Sequence, residues 1–371
     1  MAGTCFLLRR GLCVLAVVCA FGSRDAQGLI LHPDQGSGEQ VPAGEHPSNA
    51  VMARWSGYAS AVIISPMHAI TTCHQGGGIG SKVEVEGVWY RVDQYYPHPQ
   101  ADLRIVLLEN GGQLANFTEY VDVYRGLDER SRVAVIGGWG VGCGADLVSN
   151  NIVYGYAWGS GPNTVLRWGS NLIDSYGYGG GNWITRTLKA DFDGVGQGGY
   201  VAHEAGAADM DSGGGWFLQD GGVWKLAGLS RTAERLGETW FLNKYDLPAP
   251  RADAIDAVRV GEYAAWVDYI LAGPVPGDSN LDGRVGIADL TALADHYGMA
   301  GPTLNWTDGD FNDDGVVGIA DLVALAGNYG LDMGVVAAAG AAPPADSVPE
   351  PATALLLIAG VTMIVRRNSK S

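Results

Sequence analysis

Cysteine is nearly absent from this chain. Five Cys in 371 residues cannot staple a fold of that size, so the fold rests on its apolar core and not on a disulfide framework. Positive charge is scarce as well. The 23 Lys and Arg face 40 Asp and Glu, for a net charge of -17. This argues against nucleic acid as a partner, because phosphate binding needs clustered Lys and Arg. Long helical patterns are few before residue 250, where Gly, Trp and Tyr are abundant and turn residues recur. That composition predicts a mainly β body with many turns. Apolar runs long enough to span a bilayer comfortably are missing too. Leu12 to Phe21 and Ala352 to Val365 both fall short of the roughly 20 residues required. The chain is still too long for one ordinary domain.

What is present at the N-terminus reads as a secretory signal. Arg9-Arg10 gives a positive flank, Leu12 to Phe21 an apolar run, and Ala20-Phe21-Gly22 small residues at a cleavage spacing. A cut nearer Gly28 is equally compatible. Export removes Cys5, Cys13 and Cys19 and leaves Cys73 and Cys143. These two can pair in an exported chain, or Cys73 can stay free behind His74.

One stretch organises the rest. Asp209-Met210-Asp211-Ser212-Gly213-Gly214-Gly215 sets a serine among glycines, shortly before the apolar segment Val223 to Leu229. A serine hydroxyl needs a base to take its proton and N–H donors to hold the oxyanion that develops. Two upstream stretches offer the base and its orienting carboxylate. Ala61 to His74 reads as a strand, a turn at Ser65-Pro66, a second strand and a histidine. In His98 to Leu108, Asp102 stands at the mouth of an apolar strand. His68, His98 and His203 are other candidate bases, and His74 is preferred on its context.

The order His74, Asp102, Ser212, with the context of each, resembles the chymotrypsin/trypsin family of serine endopeptidases over roughly residues 45 to 272. Tyr263 to Leu271 resembles that family's closing helix, and Arg132 to Gly140 its strand before a Gly-Trp-Gly turn. The resemblance implies two six-stranded antiparallel β-barrels and a protein or peptide substrate. It makes Ser212 the nucleophile, His74 the base and Asp102 its orienter. The backbone N–H groups of Met210 and Ser212 would form the oxyanion hole, and Gly206 and Ser230 would line the substrate cleft. Gly206 argues against a preference for Lys or Arg. The chain departs from the pattern at Met210, where the family has glycine, and at Gly215, where it has proline. Its Cys73 precedes the histidine, whereas the family's cysteine follows it. The Ile-Val-Gly-Gly start is also missing, the segment whose freed amino group pairs with the aspartate before the serine. That aspartate is Asp211, and the sequence names no partner for it. Tyr154, Tyr156, Trp158 and Trp168 suit core packing better than substrate binding.

After the linker Gly273 to Pro276 comes a repeat with a 32-residue offset, and residues 277 to 332 hold ten Asp against one Arg. Asp278, Asn280, Asp282 and Asp289 stand at loop positions 1, 3, 5 and 12. Asp310, Asn312, Asp314 and Asp321 repeat the spacing. The carbonyls of Arg284 and Val316 fall at position 7, and glycine at position 6 permits the bend a calcium loop needs. Apolar residues then recur at helical spacing, at Ile287, Leu290, Leu293 and Tyr297. The pair resembles a type I dockerin, which implies two Ca2+ ions, a small α-helical module and a cohesin-like partner met through Ile287-Ala288 and Ile319-Ala320. A calcium-stabilised spacer without that partner reads the same residues.

The tail Val348-Pro-Glu-Pro351, its apolar run and Arg366-Arg367 resemble the PEP-CTERM sorting signal. This implies an exosortase-type processing enzyme and a Gram-negative cell envelope or surface. A permanent C-terminal membrane anchor fits the same tail. The expected organisation is a signal peptide over 1–28, a protease body over 29–272 and a calcium module over 273–332. A linker over 333–347 and the tail over 348–371 complete it. The expected function is an exported serine endopeptidase. A catalytically inactive homologue that binds or scaffolds at the cell surface is the alternative.

Overall fold

The computed structural model describes residues 29–32, 40–55, 57–160 and 163–336. The secretory signal and the C-terminal tail lie outside the described residues. A short strand β1 (Ile30–Leu31) precedes the first sheet. That sheet comprises β2 (Met52–Trp55), β3 (Ala59–Ile63), β4 (His68–Thr71), β5 (Lys82–Val85), β6 (Val88–Pro97), β7 (Arg104–Asn110) and β8 (Gln113–Leu114). Its order is β4-β3-β2-β5-β6-β7-β8, and pairing of β4 with β7 closes six of these strands into a ring. Successive side chains of a strand point to opposite faces. In β3, Val62 therefore joins one buried cluster with Ile70 and Ile105, while Ala61 and Ile63 join another with Trp55 and Val106. Both faces are covered, which is why β3 reads as an unbroken apolar run. Val83 to Val92 alternates apolar and polar residues, a strand signal in the sequence, but it is not one strand. It turns at Glu86-Gly87, both at positive φ, and forms the β5–β6 hairpin.

The second half holds β9 (Asp122–Val123), β10 (Val133–Gly138), β11 (Cys143–Ser149), β12 (Ile152–Trp158), β13 (Arg167–Leu172), β14 (Ser175–Gly179), β15 (Thr185–Asp191), β16 (Ala205–Gly206), β17 (Gly215–Asp220), β18 (Val223–Ala233), β19 (Glu238–Trp240) and β20 (Ala254–Arg259). The main path is β13-β10-β17-β18-β20-β15-β14, with β9 parallel to β18, and β11-β12-β19 form a separate sheet. A second closed six-stranded ring is therefore not what the described pairings give. The free edge of β13 is taken by the segment leading into β16 instead: Ser170 N–H donates to the His203 carbonyl and the Asn171 side-chain amide to that of Ala205.

Helix α1 (Ala264–Leu271) lays Trp266, Val267 and Ile270 onto the core cluster shared by both halves. The repeat region forms α2 (Ile287–His296) and α3 (Ile319–Asn328), which close over Val285, Leu290, Leu293, Phe311, Leu322 and Leu325. Gly298 ends the first helical stretch at positive φ, as a helix stop requires. This small unit is docked on the body. Leu281 enters the core beside Trp266, whose indole N–H donates to the Leu281 carbonyl at 3.2 Å. The Tyr269 hydroxyl donates to Asp278 Oδ2 at 2.7 Å, and Gln94 Nε2 reaches Asp313 Oδ1 at 2.6 Å. Residues expected to begin a linker also pack: Met333 N–H donates to the Gly283 carbonyl, and Val335 and Val336 lie against the core.

Candidate active site

His74 follows β4 and Asp102 precedes β7, adjacent strands of the closed ring. Ser212 comes from the turn between β16 and β17 in the other half. Bonds through Ser60 tie the halves together at this point. Ser60 N–H donates to the Ser212 carbonyl at 2.8 Å, and Trp139 N–H donates to the Ser60 hydroxyl at 3.1 Å. Gly213 has φ +79, and a Cβ there would lie 2.1 Å from the Ser60 carbonyl oxygen. Only glycine allows this approach.

The three sequence candidates meet. His74 Nε2 is 2.7 Å from Ser212 Oγ, and His74 Nδ1 is 2.7 Å from Asp102 Oδ2. The His74 backbone N–H donates to Asp102 Oδ1 at 2.9 Å, which makes the carboxylate bidentate to one residue. The Asp102 N–H donates to Thr185 Oγ1. Asp102 is 1% exposed. Burial pushes its carboxyl up, but the His74 hydrogen bonds and the charges of His74 and Arg231 outweigh it and hold the group below the ordinary carboxylate value. An ionised Asp102 keeps the proton on Nδ1 and leaves Nε2 to accept one from Ser212.

Neighbouring candidates take structural roles. His98 Nδ1 accepts from the Gln100 and Ala101 N–H groups, and burial pushes its ring down to about 4. His68 Nδ1 lies 2.8 Å from Ser65 Oγ and is likewise pushed down to about 4 by burial. His203 lends its carbonyl to Ser170. Cys73 is a free thiol and does not pair with Cys143. Cys73 Sγ donates to the Leu103 carbonyl, and burial pushes the thiol up to about 12. Tyr154, Tyr156 and Trp168 are buried.

Met210 does adopt the left-handed conformation that its glycine-like position requires, with φ +68. Its N–H donates to Asp209 Oδ1 at 3.1 Å, so one donor of the expected oxyanion hole is engaged within its own loop. Gly206 does not stand open in a cleft. It is buried and pairs with Ile30 across β1–β16, where a Cβ would meet Phe192 and Thr239 at 3.3 Å. Ser230 lies within β18, which runs on to Ala233. Its hydroxyl accepts from the Trp216 indole at 2.9 Å and is buried.

Two participants were not legible in the sequence. Leu29 N–H bonds to the carboxylate of Asp211, together with Ala208 and Gly140 N–H at 2.9 and 2.8 Å. Asp211 is wholly buried, and burial pushes its carboxyl up to about 7 against these neutral donors. The other is Arg231, whose Nε is 3.2 Å from Asp102 Oδ2.

In the first acidic loop the carboxylates serve the backbone. Asp278 and Asn280 accept from Asp282 N–H, Asp282 from Arg284 N–H, and Asp289 from Ser279, Asn280 and Gly286 N–H. In the second loop Asp310 accepts from Asp314 and Gly315 N–H and Asn312 from Asp314 N–H. Asp314 accepts from Val316 N–H, and Asp321 from Phe311 and Gly318 N–H. The donor set, all oxygen and mostly carboxylate, is of the type calcium takes. Yet among the described residues no three His, Cys, Asp or Glu side chains gather as a metal cluster. Ile287 and Ile319 are each 63% exposed.

No family model matches the chain, and no curated protein matches it. Among solved structures it is similar to mouse neuropsin, described as a serine protease expressed in the limbic system of mouse brain. The identity is 17% and the TM-score 0.42, and the match covers 60% of this chain and 95% of that one.

Proposed function

We propose that the chain is an exported serine endopeptidase. The observation that carries this reading is the line Asp102–His74–Ser212, with both side-chain contacts at 2.7 Å. In this reading Ser212 Oγ attacks a peptide carbonyl while His74 Nε2 takes its proton. The tetrahedral intermediate collapses, and His74 returns the proton to the leaving amine. Water then repeats the sequence on the acyl-enzyme. Asp102 orients the ring and stabilises its charged form. The Ser212 and Met210 N–H groups would bind the oxyanion, a donor being worth about 3–4 kcal/mol of barrier. Met210 must first release Asp209. That engaged donor favours the second reading, a protease homologue without activity that binds or scaffolds at the cell surface.

Activation has a candidate in Leu29. A cut between Gly28 and Leu29 would turn its N–H into an ammonium beside Asp211, the pairing that the family resemblance requires and that the sequence supplies with no Ile-Val-Gly-Gly segment. Labelling with a fluorophosphonate probe tests the reading. The chain beginning at Leu29 should be labelled, whereas Ser212→Ala and His74→Ala should not. A folded, unlabelled wild type would leave the binding reading.

The proposal places two Ca2+ in the loops of Asp278 and Asp310, on the chemistry of their oxygen donors and their repetition. It keeps a cohesin-like partner for the Ile287 and Ile319 face, an exosortase-type enzyme for the C-terminal tail, and an envelope or surface location in a Gram-negative bacterium. Because loop one is bonded to α1, a bound ion should stabilise the whole body by mass action. Chelation should lower the Tm by about 5 °C, for about 2.7 kcal/mol lost from a site held at a hundredfold its Kd. A melt unchanged by complete calcium removal counts against the ions.

A further inference from the structure

The residue after Ser230 sits in a bulge. Pairing of β18 with β20 slips between Ser230 and Thr232, leaving Arg231 outside the ladder. A bulge re-aims the side chain it carries, and here it turns a guanidinium onto the back of the candidate triad. Arg231 Nε lies 3.2 Å from Asp102 Oδ2, the oxygen that also accepts from His74 Nδ1. Nη2 donates to the Gly180 carbonyl at 2.8 Å, and Nη1 is 3.5 Å from Asp256 Oδ2. The Arg231 side chain is 10% exposed. Gly179 makes the room: a Cβ there would lie 2.6 Å from the guanidinium carbon. Arg231 is thus held on three sides in one orientation.

We propose that Arg231 is a positioning residue that sets the acid limb of the enzyme's pH profile, and this rests on the serine-hydrolase reading above. The carboxylate oxygen that would stabilise a protonated His74 ring is shared with a permanent cation. A guanidinium keeps its charge at every working pH. It weakens the hold of Asp102 on the protonated ring, so the neutral, proton-accepting ring persists to lower pH. It also fixes Oδ2 for the His74 Nδ1 bond. The groups facing this carboxylate are His74, Arg231, Cys73 and Arg104. Those facing the guanidinium are Asp102, Asp256 and Tyr263. Asp256 draws on the same cation and opposes its effect.

The test measures the fluorophosphonate labelling rate against pH for the chain beginning at Leu29 and for Arg231→Gln, Arg231→Lys and Asp256→Asn. Arg231→Gln should move the acid limb up by about one pH unit, a roughly tenfold loss at a fixed pH on that limb. Arg231→Lys should restore much of the wild-type limb, and Asp256→Asn should move it down. A limb for Arg231→Gln that superimposes on the wild type, whatever happens to the plateau or the Tm, overturns the proposal. Should Arg231→Gln not fold, Asp256→Asn decides alone: a downward move supports the proposal and an unmoved limb overturns it. A wild type that is never labelled removes the hydrolase reading itself, and this inference with it.

Discussion

Asp102→Asn should slow labelling of Ser212 by about 10^4-fold at neutral pH. The amide keeps the volume and the backbone bond from His74 N–H, so the ring stays near its place. The loss is electrostatic. An amide that presents its N–H₂ to His74 Nδ1 favours the wrong tautomer, with the proton on Nε2 where Ser212 needs a base. In this chain the substitution does more, because Arg231 loses its partner. A guanidinium left with Asp256 and a carbonyl is under-compensated in a mostly buried setting. The Tm should therefore fall by several degrees along with the rate. Labelling and thermal melting of the same sample check both. Retention of more than a tenth of the wild-type labelling rate would sink the triad assignment.

The second large effect has opposite signs in two forms of the protein. Where Leu29 is still in peptide linkage, Asp211 has three neutral N–H donors, and burial pushes its carboxyl up to about 7. A carboxyl raised in the fold from an ordinary 3.8 favours folding when protonated. Its contribution is fully present below about pH 4, is lost as pH rises to about 7, and amounts to about 4 kcal/mol over that window. Asp211→Asn keeps an uncharged group at the site. It should raise the Tm of the uncleaved chain at pH 7.5. In the chain that begins at Leu29, the same substitution removes one partner of a buried ion pair. It should then cost about 3–5 kcal/mol and lower the Tm by about 10 °C. Melting curves of the four samples decide it. A shift of the same sign in both forms would mean that Leu29 does not pair with Asp211.

The parts legible in the sequence were those written in contiguous residues. The serine among glycines, the histidine after a strand and the aspartate before one each carry a local signature, and the structure brings His74, Asp102 and Ser212 together. The helix at 264–271 was legible through a resemblance, and the two that follow the acidic loops through their periodicity. What failed was long-range or backbone-determined. Leu29 meets Asp211 across 182 positions of chain, and no local pattern marks an N–H as a ligand. Arg231 was hidden because a bulge cannot be read from residue types. The surroundings of Ser230 and Gly206 were not legible, because β18 continues past the one and the other is pinned in the β1–β16 pair. The single strand expected over Val83 to Val92 broke at Glu86-Gly87, a turn embedded in an otherwise alternating pattern.

The bonds from Trp266 and Tyr269 to the first acidic loop bear on reach as well as on stability. A catalyst on a slack tether sweeps a volume, and its substrates are whatever drifts into it. Here the hydroxyl of Ser212 and the apolar face of Ile287, Ile319 and Val323, each more than 60% exposed, belong to one docked body. Were that face to hold the proposed partner, Ser212 would be presented to the surroundings at a single bearing. Only substrates lying along that bearing would be cut, so selection would come from aim as much as from the fit of a side chain in a cleft.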